Sequence, residues 1–196
     1  MLESAAASAL PNGPRRAPVV PNAVLGTLIF VLTEVMFFGG LVSAYMIGEA
    51  GAAFGWPPPD QPRLPWEETA FNTAALLASG LFVWFAGRTF ARDRVEARWP
   101  LTIALGLGGF FVVAQGVEWV SLIREGLTLT SSTHGAFFYL IVGAHGLHAL
   151  AAIVVLAITL AALFRDKLEA TTFSAVRLFW YFVVTVWPFL YLQVYW

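Results

Sequence analysis

Five long apolar runs, separated by short polar connections, dominate the chain. They cover about residues 23–47, 71–90, 101–123, 135–164 and 173–196. A helix needs roughly 20 mostly apolar residues to cross a bilayer. The pattern therefore predicts an all-α fold: a polytopic membrane helical bundle of five transmembrane helices. The runs are too long for barrel strands and lack their alternation of apolar and polar positions. The fourth run exceeds what a bilayer requires, so it is expected to tilt or to project into water. Residues 1–21 contain Pro11, Pro14, Pro18, Pro21, Arg15 and Arg16 but no continuous apolar stretch. They read as a flexible N-terminal tail rather than a secretory signal. Residues 22–196 read as one membrane domain, without internal repeats.

The connections carry the orientation signal. Arg15 and Arg16 precede the first run. Arg88, Arg92, Arg94 and Arg98 separate the second from the third, and Arg165, Lys167 and Arg177 flank the last connection. The two remaining connections hold only Arg63 and Arg124. The positive-inside rule places the basic side in the cytoplasm. This predicts a multi-pass protein of a bacterial-type plasma (inner) membrane, N-terminus cytoplasmic and C-terminus outside. The segment 49–68 would then face outward, stiffened by Trp56-Pro57-Pro58-Pro59. Trp66, Trp99, Trp119 and Trp196 bound the runs as an aromatic belt would.

Composition narrows the chemistry. The chain is 59% hydrophobic and 12% charged, whereas a soluble domain is about 45–50% apolar and about 25% charged. A net charge of -1 offers no electrostatic basis for binding nucleic acid. The absence of cysteine excludes disulfides, iron–sulfur clusters, thiolate zinc sites and cysteine nucleophiles. Glycines at Gly39-Gly40, Gly106, Gly108, Gly109 and Gly143-x-x-Gly146 are expected to let helices approach closely. Pro188 is expected to kink the last helix.

Ionisable residues inside a span are costly, and each is a functional candidate. Four occur here: Glu34, Glu118, His145 and His148. Glu34, His145 and His148 fall near the middle of their runs, and the two histidines are three residues apart. Glu34 and His148, at similar depth, are expected to pair or to share a polar pocket with His145. Glu118 lies nearer the outer surface with Gln115, and Asn72 sits at similar depth in the second run. These three are expected to form a second cluster inside the bundle. His134 reads as interfacial. The bland reading is polar glue between helices; the sharper ones are a proton path, a metal site or a haem site. A metal is disfavoured because no Glu-x-x-His pair occurs. Haem is disfavoured because all the histidines lie on one run, which offers no ligands from opposite sides. No catalytic, cofactor-binding or metal-ligating residue is therefore assigned.

Taken in order, several stretches resemble subunit III of the haem–copper oxidases, the cytochrome c and quinol oxidase family. They are Thr33-Glu34-Val35-Met36-Phe37-Phe38, Trp56-Pro57-Pro58, Asn72-Thr73, Leu76-Leu77-x-Ser79 and Gln115-x-x-Glu118-Trp119. Gly143-x-His145-Gly146-Leu147-His148, Trp180-x-Phe182-Val183 and Trp187 continue the series. The last span departs from the family, which often reads Trp-His-Phe-Val-Asp-x-x-Trp: Tyr181 stands for the histidine and Val184 for the aspartate. Two N-terminal helices of longer members have no counterpart.

The resemblance implies a non-catalytic accessory subunit of a respiratory terminal oxidase. Such a subunit carries no redox centre, packs against catalytic subunit I with its haems and copper, binds structural phospholipid and supports proton uptake. A proton-coupled transporter using Glu34 and His148, and a haem- or quinone-binding redox subunit, are the competing readings.

Overall fold

A computed structural model describes residues 20–53, 55–59 and 61–195 of the chain. The expected tail, up to residue 19, and the belt position of Trp196 lie outside the described residues. Five helices follow in order: α1 (Asn22–Ala50), α2 (Trp66–Phe90), α3 (Arg98–Arg124), α4 (Thr133–Phe164) and α5 (Ala170–Tyr195). Each is long and apolar enough to cross a membrane. α4, with 32 residues, extends about 48 Å at 1.5 Å per residue, well beyond a hydrocarbon core of roughly 30 Å.

The helices form a ring of four with a fifth outside it. α2 packs on α3, α3 on α4, α4 on α5, and α5 back on α2; α1 touches only α4 and α5. The ring encloses the core, in which Phe111, Phe138, Trp180 and Trp187 are fully buried. α1 contributes only Phe38 and Tyr45 as buried side chains. Its run from Leu25 to Ile47 leaves Leu28, Leu32, Met36 and Phe37 uncovered by the rest of the chain.

Helix ends are built from local chemistry. Ser132 caps α4 by accepting a hydrogen bond from the Gly135 N–H at 3.0 Å. α3 ends with Gly126 at φ +98°. There the N–H of Leu127 donates to the Leu122 carbonyl at 2.9 Å and that of Gly126 to Ile123 at 3.2 Å. This is the Schellman pattern, in which a left-handed residue lets the chain turn back on the last carbonyls. α4 ends in the same way, with Asp166 at φ 55° in the left-handed position and Lys167 donating to Ala162 at 2.9 Å.

Side chains then tie the connections together at each end. Arg94 donates to the Leu168 carbonyl at 2.9 Å, and Arg98 pairs with Asp166 at 3.0 Å. The α2–α3 and α4–α5 connections, both basic, therefore share one end of the bundle. At the other end Ser131 donates to Gln61 at 3.0 Å and Tyr191 to the Trp66 carbonyl at 2.8 Å. The proline-rich segment is pinned to α1, where the Trp56 indole donates to the Tyr45 hydroxyl at 2.8 Å. α5 continues as one helix through Pro188 to Tyr195.

The glycines divide into two groups. Gly108 receives the tip of Trp180, and Gly146 lies under the Trp119 ring. Gly39, Gly40, Gly106 and Gly109 meet nothing within 4 Å of where a Cβ would stand. The expected close approach does not occur at those four, because they face away from the ring.

Candidate functional site

The polar residues of the spans gather in two places. The first is the seam between α1 and α4. Glu34 Oε2 lies 3.0 Å from His148 Nε2, with both side chains more than four-fifths covered. On the other side of that imidazole, Nδ1 lies 2.8 Å from the Ala144 carbonyl. A carbonyl only accepts, so Nδ1 carries the hydrogen. A second hydrogen must then occupy the Nε2–Oε2 contact, since two facing lone pairs would repel. It belongs either to a carboxylic acid or to an imidazolium. In both cases the pair is neutral overall and holds one transferable proton. Phe38 and Phe182 face the imidazole edge-on, with ring centroids at 5.4 and 6.2 Å. These rings keep the contact largely dry, which strengthens it.

His145 does not join this pair. Three positions away on the helix, its ring turns into the bundle and stacks on Trp187 at 4.9 Å, with Phe111 at 6.3 Å. Its Nε2 is buried without a hydrogen-bond partner. Residues three apart on a helix are offset by about 60°, enough here for the two histidines to serve different neighbours.

The second place lies nearer the other end, between α2, α3 and α5. Glu118 Oε2 accepts from the Gln115 amide at 2.8 Å and from the Thr69 hydroxyl at 2.9 Å. Its Oε1 accepts from the Asn72 amide at 2.8 Å. Gln115 also donates to the Tyr195 hydroxyl at 3.1 Å. One helical turn deeper, Thr73 donates to the Thr69 carbonyl at 2.7 Å and accepts from the Trp187 indole at 2.8 Å. The structure thus brings Asn72, Gln115 and Glu118 together, and adds Thr69, Thr73, Tyr195 and Trp187. Thr69, Asn72 and Thr73 recur at the i, i+3, i+4 spacing of one helix face, a signal already present in the sequence.

His134 stands in the first turn of α4, at one end of the bundle. It is 1% exposed, because Trp56 folds over it with ring centroids at 5.1 Å. Reading α4 alone could not anticipate a cover supplied by the α1–α2 connection. Among the described residues no group of three histidine, aspartate or glutamate side chains is placed to hold a metal ion.

Comparison with known proteins gives this arrangement a family. The cytochrome c oxidase subunit III family profile matches residues 6–196. The probable cytochrome c oxidase subunit 3 of Nocardia farcinica is 34% identical over 184 residues, covering 89% of this chain and 88% of the relative. That of Mycobacterium leprae is 36% identical over 183 residues, covering 89% and 88%. Cytochrome c oxidase subunit 3 of Gadus morhua is 32% identical over 196 residues, covering 94% of this chain and 73% of the longer fish protein. With its five apolar helices in one ordered bundle, the chain belongs to the cytochrome c oxidase subunit III family.

Proposed function

We propose that this chain, a non-catalytic subunit of the cytochrome c oxidase complex, steadies the catalytic subunit and helps to keep protons available to it during turnover. The haems and copper belong to catalytic subunit I, against which the bundle packs, and structural phospholipid fills the seams between them. The complex sits in a bacterial inner membrane with the basic connections of this chain in the cytoplasm, as the distribution of arginines supports.

The observation that carries the reading is the Glu34–His148 pair. It holds one transferable proton near the midpoints of two helices, at the seam where the peripheral helix meets the ring. A buried ionisable pair in a membrane is retained against a cost, which favours a use for its proton. The test removes first the subunit and then the pair. Oxidase stripped of this chain is expected to keep its haem spectrum and part of its initial rate. It should then lose activity faster over repeated turnovers, most clearly at high pH, where protons are scarce. Complex carrying Glu34→Gln is expected to assemble fully yet share the faster loss. Loss of the haem signal on stripping would overturn the accessory role. Undiminished endurance of Glu34→Gln at high pH would overturn the role of the proton alone.

A further inference from the structure

Arg177 is the only charged residue of α5. It follows the first residue of that helix by about 10 Å along the axis. Its guanidinium rests on α2 at Gly87, where an added Cβ would meet Cζ, Nη1 and Nε. Phe173 and Tyr181, one turn to either side, flank it with ring centroids 5.7 and 5.8 Å from Cζ. The side chain is thus held against the bundle, not stretched toward water as a snorkelling arginine would be.

The charge held there has no counter-charge. Among the described residues no carboxylate pairs with Arg177. Its one hydrogen bond runs from Nη2 to the Tyr181 hydroxyl at 3.5 Å, beyond the usual limit of about 3.2 Å. Nε is enclosed by the fold, but Nη1, which bonds nothing, is not. An uncompensated charge at the edge of a membrane is costly, so an open donor edge there calls for an anion.

We propose that Arg177 holds the phosphate of an anionic phospholipid at the seam between α2 and α5. This rests on the reading above, in which phospholipid fills the seams of the bundle, and fixes one position and one class of head group. Depth is the first argument. Gly87 stands one turn before the end of α2, and Arg177 two turns after the start of α5. The guanidinium therefore lies near the boundary of hydrocarbon and head groups on the basic side of the bundle. Charge is the second. Residues 88–98 and 165–177 hold seven cations against four carboxylates, and such a cluster attracts lipid of net negative charge. A zwitterionic head would bring an ammonium for which Arg177 has no carboxylate neighbour. Shape is the third. Thr73, Gly80 and Gly87 of α2 meet α5. Beside that row runs an exposed one, Leu77, Leu81, Trp84 and Arg88, apolar until its last member. It offers acyl chains a course along the seam, with the Arg88 guanidinium 4.2 Å from the Trp84 ring at its head-group end.

The experiment uses the intact oxidase complex in nanodiscs of phosphatidylcholine that contain a trace of phosphatidylglycerol with a photoreactive diazirine near the head of one acyl chain. Labelled peptides are expected from segments 77–88 and 174–185, suppressed by unlabelled phosphatidylglycerol but not by phosphatidylethanolamine. Arg177→Gln should lower this label at least about tenfold, as loss of a hydrogen bond to a charged group implies. Arg177→Lys should keep part of it, since an ammonium supplies the charge without the planar fork. Gly87→Ala should lower it with every charge retained, because the new Cβ displaces the guanidinium. Unchanged haem content in each complex certifies assembly. Label on other segments of the chain tests separately whether phospholipid occupies the other seams. Three results would overturn the proposal. Label that survives Arg177→Gln in assembled complex would leave the guanidinium to water alone. A parent complex labelled elsewhere but not in these segments would mean that a neighbouring subunit covers the arginine. Equal label from a diazirine phosphatidylcholine would remove the selection for an anionic head.

Discussion

Replacing Glu118 with leucine tests whether the outer cluster holds the bundle together. The carboxylate accepts three hydrogen bonds, from Thr69, Asn72 and Gln115. The three donors fare differently without it. Thr69 keeps the Pro65 carbonyl at 2.8 Å as an acceptor, and Gln115 keeps Tyr195. Asn72, 3% exposed, makes no other bond through its amide hydrogens among the described residues. Stranding such a donor costs about 1–3 kcal/mol. Of the two bonds that find substitutes, only Thr69–Glu118 joins two helices, and such a bond contributes about 0.6 kcal/mol. Their sum places Glu118→Leu about 2–4 kcal/mol below the parent chain. The measurement is unfolding of the purified chain by sodium dodecyl sulfate in mixed micelles, followed by loss of tertiary signal. Asn72→Leu combined with Glu118→Leu should recover much of the loss, since both members of the pair become apolar. A single Glu118→Leu variant within about 0.5 kcal/mol of the parent, the range of an unremarkable surface change, would refute the reasoning.

Three further outcomes can be checked with the same chain. Gly108→Leu should destabilise by about 1–3 kcal/mol through overpacking, because Trp180 lies 2.5 Å from the added Cβ. Gly106→Leu, facing open space, should leave the unfolding midpoint within about 0.5 kcal/mol of the parent. Asp166→Val should lower stability by more than about 1 kcal/mol, since a branched side chain is strained at a left-handed φ. Asp166→Gly should be close to neutral, relief of strain offsetting loss of the Arg98 pair. Reporter fusions at Asp166 and after Trp196 should read opposite sides of the membrane, and agreement between them would refute the five-span topology.

The five spans were legible because a bilayer imposes a length and a composition that few other folds need. Helix ends agreed with the hydrophobic boundaries to within about five residues, the larger gaps falling where amphipathic first turns such as Trp66-Glu67-Glu68 precede the apolar run. The partnership of Glu34 and His148 was legible from depth alone, since two groups at one level of a small bundle have few alternatives. What escaped the sequence depends on azimuth. His145 and His148 share a helix face within the tolerance of an i, i+3 rule, yet α1 lies on one side of that face and α3 and α5 on the other. Burial of His134 depends on where a loop of another helix pair returns. Which glycines make close contacts is azimuthal too: Gly106, Gly108 and Gly109 are neighbours, but only Gly108 looks at Trp180.

The position of α1 gives the Glu34–His148 pair a second meaning. In lipid, helices gain no hydrophobic advantage by associating, so packing and polar contacts must hold them. α1 fully buries only Phe38 and Tyr45, with Val31, Leu41 and Val42 half-buried against the core and Phe30 edge-on to Phe179 of α5. Its polar contacts with the rest of the chain, by contrast, gather at a few points. At the middle stand the Glu34–His148 pair and Phe38, whose ring meets both His145 and His148. At the far end stand Tyr45, bonded to Trp56, and Gly48, whose missing side chain makes room for Phe137. Points of contact this far apart set the rotation and register of the helix without requiring a continuous apolar face. They leave most of α1 free to meet lipid or another subunit. A change in where the shared proton resides alters the charge on Glu34 at the one point where α1 has polar purchase on α4. The pair is therefore a fastening between α1 and α4, and substitutions that separate this from the proposed proton role, such as Glu34→Gln against Glu34→Leu, are the informative ones.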